Sequence, residues 1–129
     1  MDDHPILHDR PVLTVESDKR DLLVGAYRDF NARRIDAVLA RMQPDVDWPN
    51  GMEGGRVHGH DEVRAYWTRQ WITLDPHVDP VQIDTSQPDR AIVQVHQVVH
   101  DPAGNLLADS VVHHVYTFRD GLIERMEIE

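Results

Sequence analysis

AIVQVHQVVHD (Ala91–Asp101), LLADSVVHHVYTFR (Leu106–Arg119) and LIERMEIE (Leu122–Glu129) follow one another across short turns. Apolar and polar residues alternate along each run, and side chains of a strand point to opposite faces with a period of two. The three runs therefore read as consecutive antiparallel strands. The first turn is Pro102-Ala103-Gly104-Asn105, and the second is Asp120-Gly121, a strong hairpin signal. A further strand near Val81–Asp84, after Pro80, begins the sheet. Everything before Asp75 reads as helix, apart from a short strand at Val46–Trp48. An α+β chain with helices first and a curved sheet second folds the helices over one face of the sheet and encloses a pocket between the layers.

The two faces of the long hairpin follow from its register. With His100 opposite Leu106, His96 meets Ser110, Gln94 meets Val112 and Ile92 meets His114, on one face with Tyr116 and Phe118. The other face holds Val93, Val95, Gln97, Val99, Leu107, Val111, His113 and Val115 and is the more apolar. Helices cover one side of a sheet, so an apolar outer side implies a protein partner, most economically a second copy of the chain. A homodimer through that face is the expectation. A one-residue bulge would exchange the two faces.

In the first half of the chain, residues 1–16 read as an arm carrying Pro5 and Pro11 among charges, and 17–129 as the domain. Ser17 is a plausible N-cap, with Leu22, Leu23, Ala26, Tyr27 and Phe30 at helical spacing and an end near Ala32. A short helix over Asp36–Met42 stops before Pro44. Gly51, Gly54, Gly55 and Gly59 make Asn50–Gly59 a loop suited to a pocket rim. A third helix from Asp61 puts Val63, Tyr66, Trp67, Gln70 and Trp71 on one face, and its aromatics read first as core.

Length allows one domain: 129 residues bury roughly two-thirds of their unfolded surface in a single core. Thirteen basic against twenty-three acidic residues give a net charge of −10, which repels phosphate backbones and anionic membranes, so neither nucleic acid nor membrane is an expected partner. There is no cysteine, which excludes disulfide and thiolate chemistry. Met1–Thr14 has no apolar run of signal-peptide length, and a cytoplasmic location is the expectation.

Four segments carry a resemblance: Tyr27-Arg28-Asp29-Phe30-Asn31-Ala32 running on to Leu39, Pro44-Asp45-Val46-Asp47-Trp48-Pro49-Asn50, Gly59-His60-Asp61-Glu62-Val63 to Trp67, and Val115-Tyr116-Thr117-Phe118 to Ile123. Over roughly residues 17–129 the chain resembles the SnoaL-like branch of the nuclear transport factor 2-like superfamily, which includes ketosteroid isomerase and polyketide cyclases. The resemblance implies a cone-shaped α+β barrel, a strongly bent, mainly antiparallel sheet wrapped around three N-terminal helices, with an apolar cavity at the wide end. Its chemistry needs no cofactor. Carried over residue by residue, Asn50 falls where the isomerase has its carboxylate base, and an amide takes no proton at neutral pH. The oxyanion-hole tyrosine falls at Ala26, next to Tyr27. The protonated aspartic acid falls at His114, and the supporting tyrosine at Trp67.

His114, Asn50 and Tyr27 are thus the candidate catalytic residues. In an apolar cavity an imidazole stays neutral, donating from one nitrogen and accepting at the other; the competing possibility is that His114 merely bonds a neighbour such as Asn50 or Gln94. Asp29 is the sole acid on helix one near the right turn, though its place beside Phe30 turns it partly away. Phe30, Trp48, Trp67, Gln94, His96, Ser110, Val112, Tyr116 and Met126 are the expected substrate-binding set. No metal is expected among the nine histidines: His96 and His100 lie about 13 Å apart along a strand, too far for one ion, and His58 and His60 with Glu53 or Asp61 read first as solvated loop residues. Two functions stay open. One is an isomerase, cyclase or dehydratase acting on an apolar carbonyl compound; the other is a ligand-binding or dimerisation module without turnover.

Overall fold

The structure, a computed structural model, describes residues 4–129. Helix α1 (His4–Asn31) leads into a short helix α2 (Ile35–Leu39), strands β1 (Met42–Pro49) and β2 (Arg56–His58), helix α3 (Gly59–Thr73), and then β3 (Asp75–Asp84), β4 (Arg90–His100), β5 (Leu106–Arg119) and β6 (Leu122–Ile128). The strands form one six-stranded sheet in the order β2-β1-β6-β5-β4-β3. It is curled but unclosed, with β2 and β3 as its edges. Every pairing is antiparallel except β1 with β6. Mixed α+β architecture and three helices preceding the main sheet agree with expectation.

Several boundaries move. The first helix starts well before Ser17, which is an interior helical residue rather than an N-cap. Pro5 falls in its first turn, where a missing N–H costs nothing, and Val12–Glu16 contains no helix breaker. Of the expected arm, residues 1–3 lie outside the described residues. The helix ends on Arg33 in a left-handed conformation (φ 63°), with Arg33 N–H donating to Phe30 O and Arg34 N–H to Asp29 O, a Schellman closure built on a non-glycine residue. Met42, expected at the end of the second helix, instead opens β1. Strand β2 was not expected: Arg56-Val57-His58 is three residues long and follows two glycines.

The decisive difference lies in the long hairpin. His100 does pair with Leu106, as expected, but Val99 pairs with Ala108, so one extra residue of β5 is accommodated at the turn end. From there the ladder is displaced by one: Gln97 faces Ser110, Val95 faces Val112, and Val93 faces His114. The inner face of β5 carries Val112, His114, Tyr116 and Phe118 as expected, but on β4 the inner residues are Ala91, Val93, Val95, Gln97 and Val99. Val93 and Val95 are fully buried. The apolar face expected to lie outside is, on β4, the core face, and Gln94 and His96 point outward. Leu107 and Val111 remain exposed on the outer side. Burying each such valine contributes roughly 1.5–3 kcal/mol, which is why the valine face and not the Gln/His face meets the helices.

Against this face pack Leu23, Ala26 and Tyr27 of α1, Val38 and Leu39 of α2, and Val63, Tyr66 and Trp67 of α3. Midway along its length α1 is tied to the sheet by Lys19, a buried lysine whose Nζ donates to main-chain carbonyls of the β3–β4 connection, Thr85 and Pro88 among them. Among the described residues no helix is long and apolar enough to cross a membrane.

Candidate functional site

Between α1, α3 and the inner face of the sheet lies a cavity of about 310 Å³, within the range that takes a small organic ligand. Its walls are aromatic. Trp67 meets Trp48 edge-on at 5.7 Å and Phe30 at 5.2 Å, and Trp71 closes the stack on Trp67 at 6.0 Å. Val63, Tyr66, Trp67 and Gln70 recur at helical spacing on α3, so packing α3 against the sheet delivers Tyr66, Trp67 and Gln70 to one side. Met42, Met52, Val112, Ile123 and Met126 fill the remaining wall. Among the described residues the lining contains no aspartate, glutamate, lysine or arginine.

One polar chain enters this apolar space. The Tyr116 hydroxyl donates to the Tyr27 hydroxyl at 2.8 Å, and Tyr27 lies 2.8 Å from His114 Nδ1. With Tyr116 donating to its oxygen, Tyr27 can give its own proton to Nδ1, and in that tautomer the neutral imidazole carries its proton on Nε2. No described residue takes a hydrogen bond from Nε2, which leaves it to the cavity. His114 is 6% exposed. Burial, aided by the nearby His113, pushes its pKa down to about 4, so it is neutral at physiological pH. Burial also raises the pKa values of Tyr27 and Tyr116, keeping both hydroxyls protonated.

Of the three candidate catalytic residues, the structure brings Tyr27 and His114 together and leaves Asn50 apart. Asn50 is buried, but both ends of its amide serve the following loop: Nδ2 donates to Glu53 Oε1 at 2.9 Å, and Oδ1 accepts from Glu53 N–H at 2.8 Å. It does not line the cavity. Phe30, Trp48, Trp67, Val112, Tyr116 and Met126 line it as expected. Gln94, His96 and Ser110 do not. The hairpin bulge turns Gln94 and His96 to the outer face, where His96 pairs with Asp109 at 2.7 Å. Ser110 keeps the inner parity of β5 but is exposed beyond the cavity. Asp29, two residues after Tyr27, points away and is held by Arg41 at 2.8 Å, with Arg28 and Arg34 at 3.4 and 3.5 Å.

Three polar lining residues, Tyr66, Gln70 and Gln97, were not in the expected set. Gln70 donates to the Tyr66 hydroxyl at 3.2 Å; its helical face was legible, but the face was assigned to core. Gln97 lines the cavity and forms no side-chain hydrogen bond to any described residue. Its alternation placed it outside, and nothing in the residue pattern marks the bulge. His58 and His60 act separately: His58 lies 3.4 Å from Asp47, and His60 Nε2 donates to Met42 O at 3.1 Å.

A family model described as a SnoaL-like domain matches residues 24–126. Among solved structures, a nuclear transport factor 2-like protein of unknown function from Burkholderia pseudomallei is 28% identical, with a TM-score of 0.77 over 87% of this chain and 89% of that one. TerC, co-crystallised with polyporic acid, is likewise 28% identical with a TM-score of 0.77, covering 87% of this chain and 90% of that one. A Mycobacterium tuberculosis protein in complex with estradiol-17β-hemisuccinate shares the fold at 18% identity and a TM-score of 0.74, over 86% of this chain and 92% of that one. No curated protein matches the sequence.

Proposed function

The chain belongs to the SnoaL-like family, and on that premise we propose that its cavity takes a hydrophobic, carbonyl-bearing small molecule and that His114 with Tyr27 acts on it without a cofactor. The observation that carries this is the chain Tyr116–Tyr27–His114, which ends on an imidazole lining an aromatic cavity, with no described residue bonded to its Nε2. A packed core has no use for such an end. A carbonyl oxygen set against Nε2–H receives a neutral donor, and the hydrogen bond strengthens as negative charge builds on that oxygen. Tyr27 and Tyr116 polarise the ring from behind. The apolar surroundings supplied by Trp48, Trp67 and Phe30 raise the value of each of these contacts. Isomerisation, cyclisation and dehydration of a carbonyl compound all develop charge in this way.

Binding without turnover is the second reading. It is favoured by one observation, that no described residue of the lining is a carboxylate able to take a proton from carbon. The relatives support the ligand class common to both readings, since TerC was co-crystallised with polyporic acid and the mycobacterial protein with a steroid ester. A thermal-shift panel of steroids, polyketide-like aromatics and terpenoids tests that class, because a ligand at a hundred times its dissociation constant adds about 2.7 kcal/mol of stability. A flat response across the panel removes both readings. For any ligand that is also converted, His114→Ala should lower turnover by roughly 100-fold or more. Unchanged turnover in that variant removes the enzyme reading.

A further inference from the structure

Besides the His114 relay and the Tyr66–Gln70 pair on α3, the cavity has a further polar group, and it lies far from His114. On β4 the ladder runs without interruption from Val93, opposite His114, through Val95, opposite Val112, to Gln97, opposite Ser110. Gln97 is therefore four residues further along the strand than the partner of His114, about 13 Å by strand rise. The inner-face residues between them, Val95 and Val112, are apolar, and Val95 is fully buried. Gln97 is partly buried, lines the cavity, and its amide has no side-chain partner among the described residues. By contrast Gln94, on the same strand, faces outward. An unpaired amide on a wall of valines gains nothing from packing and has its donor and acceptor capacity free.

We propose that Gln97 is a distal anchor: the ligand has polar functions at both ends of a rigid apolar body, one held at His114 and the other by the Gln97 amide. This rests on the cavity being a small-molecule site, as proposed above. The distal function is uncharged, for two reasons. Among the described residues no cation lines the cavity to neutralise an acid, and no carboxylate lines it to receive an amine. It is a hydroxyl, carbonyl or amide, since the Gln97 amide both donates and accepts. The two ligand oxygens are separated by roughly 8–12 Å once the strand distance is shortened by the hydrogen bonds at each end.

The test uses two matched probe pairs on the whole protein, with affinities from calorimetric titration. One pair is androst-4-ene-3,17-dione and androst-4-en-3-one; the other is 4,4′-dihydroxybiphenyl and 4-hydroxybiphenyl. In each pair the members differ by the far oxygen. The native protein should bind the doubly oxygenated member of at least one pair more tightly by roughly 3- to 10-fold. Gln97→Leu, which keeps the volume and suits its valine neighbours, should erase that preference while binding the singly oxygenated member at least as well as the native protein does. The latter measurement also reports that the variant is folded. Binding of both members with no preference in the native protein, or a preference that survives Gln97→Leu, overturns the distal anchor and leaves the cavity's proposed role standing. Failure of all four probes to bind removes that role and the anchor together.

Discussion

Tyr27 and Asp29 stand two residues apart on one helix, both are buried, and they have opposite fates. Asp29 is enclosed by guanidinium groups: Arg41 at 2.8 Å holds its carboxyl below the usual carboxylate range, assisted by Arg28. Its hydrogen-bonding capacity is used up within the protein. Tyr27 belongs to a chain of neutral groups that stops one partner short, at His114 Nε2. Residues at i and i+2 on a helix point roughly opposite ways, so α1 presents its charged cluster to the α2–β1 corner and its neutral relay to the cavity. Burial alone therefore does not mark a functional polar group. What separates the two is whether the protein itself finishes satisfying it.

The contrast can be broken in three places. Asp29→Ala leaves Arg41 partly buried without its carboxylate and should cost roughly 3–5 kcal/mol in chemical denaturation. Ligand affinity measured on the folded variant should not change; a loss of affinity would mean that the two clusters are coupled. The second effect is one of pH. His114 has a pKa of about 4 in the fold against about 6.5 in the unfolded chain. Below pH 6.5 the unfolded chain takes up a proton that the folded imidazole refuses, so stability should fall as pH drops from about 6.5 to 4 and then level off with respect to this group. The loss is about 3 kcal/mol. His114→Phe should lack this component, and parallel native and variant stability curves across that window would show that the imidazole is not held neutral by burial. The smallest effect belongs to Tyr116→Phe. Removing the outermost donor should cost about 1 kcal/mol and weaken any carbonyl ligand a few-fold, as read by denaturation and titration; no change in affinity would detach Tyr116 from the relay.

Legibility in the sequence follows the same division. The inner face of β5 was readable because Val112, His114, Tyr116 and Phe118 share one parity that runs into the Asp120-Gly121 turn, and the bulge lies upstream of all four. On β4 both parities carry valine, glutamine or histidine, so the pattern itself does not choose a face. There the choice hung on register, and register hung on a bulge formed by backbone at the hairpin end. Hence Gln94 and His96 were placed inside and Gln97 outside. Asn50 shows a different limit. Its position in the strand motif was legible, but the local demand of the Asn50–Gly55 loop for an amide at its base was not. Strand β2 was missed because three residues bounded by glycine carry too little periodicity to register. The aromatic wall was visible as a helical face, yet a face of tryptophans looks alike whether it closes a core or borders a void.

The hairpin bulge also sets how readily this architecture could acquire a new specificity. Asp101 pins the reverse turn through its Oδ1, which accepts from the N–H groups of Ala103 and Asn105, and the surplus residue, Leu107 of β5, is absorbed close by, opposite the step from Val99 to His100. A one-codon insertion or deletion at that spot would re-index β4 against β5 and swap the side chains offered to a guest, bringing in glutamine and histidine in place of valine without altering a single existing letter. In such a scaffold, innovation by frame-preserving indel reaches several wall positions at once, whereas point mutation must visit them one at a time.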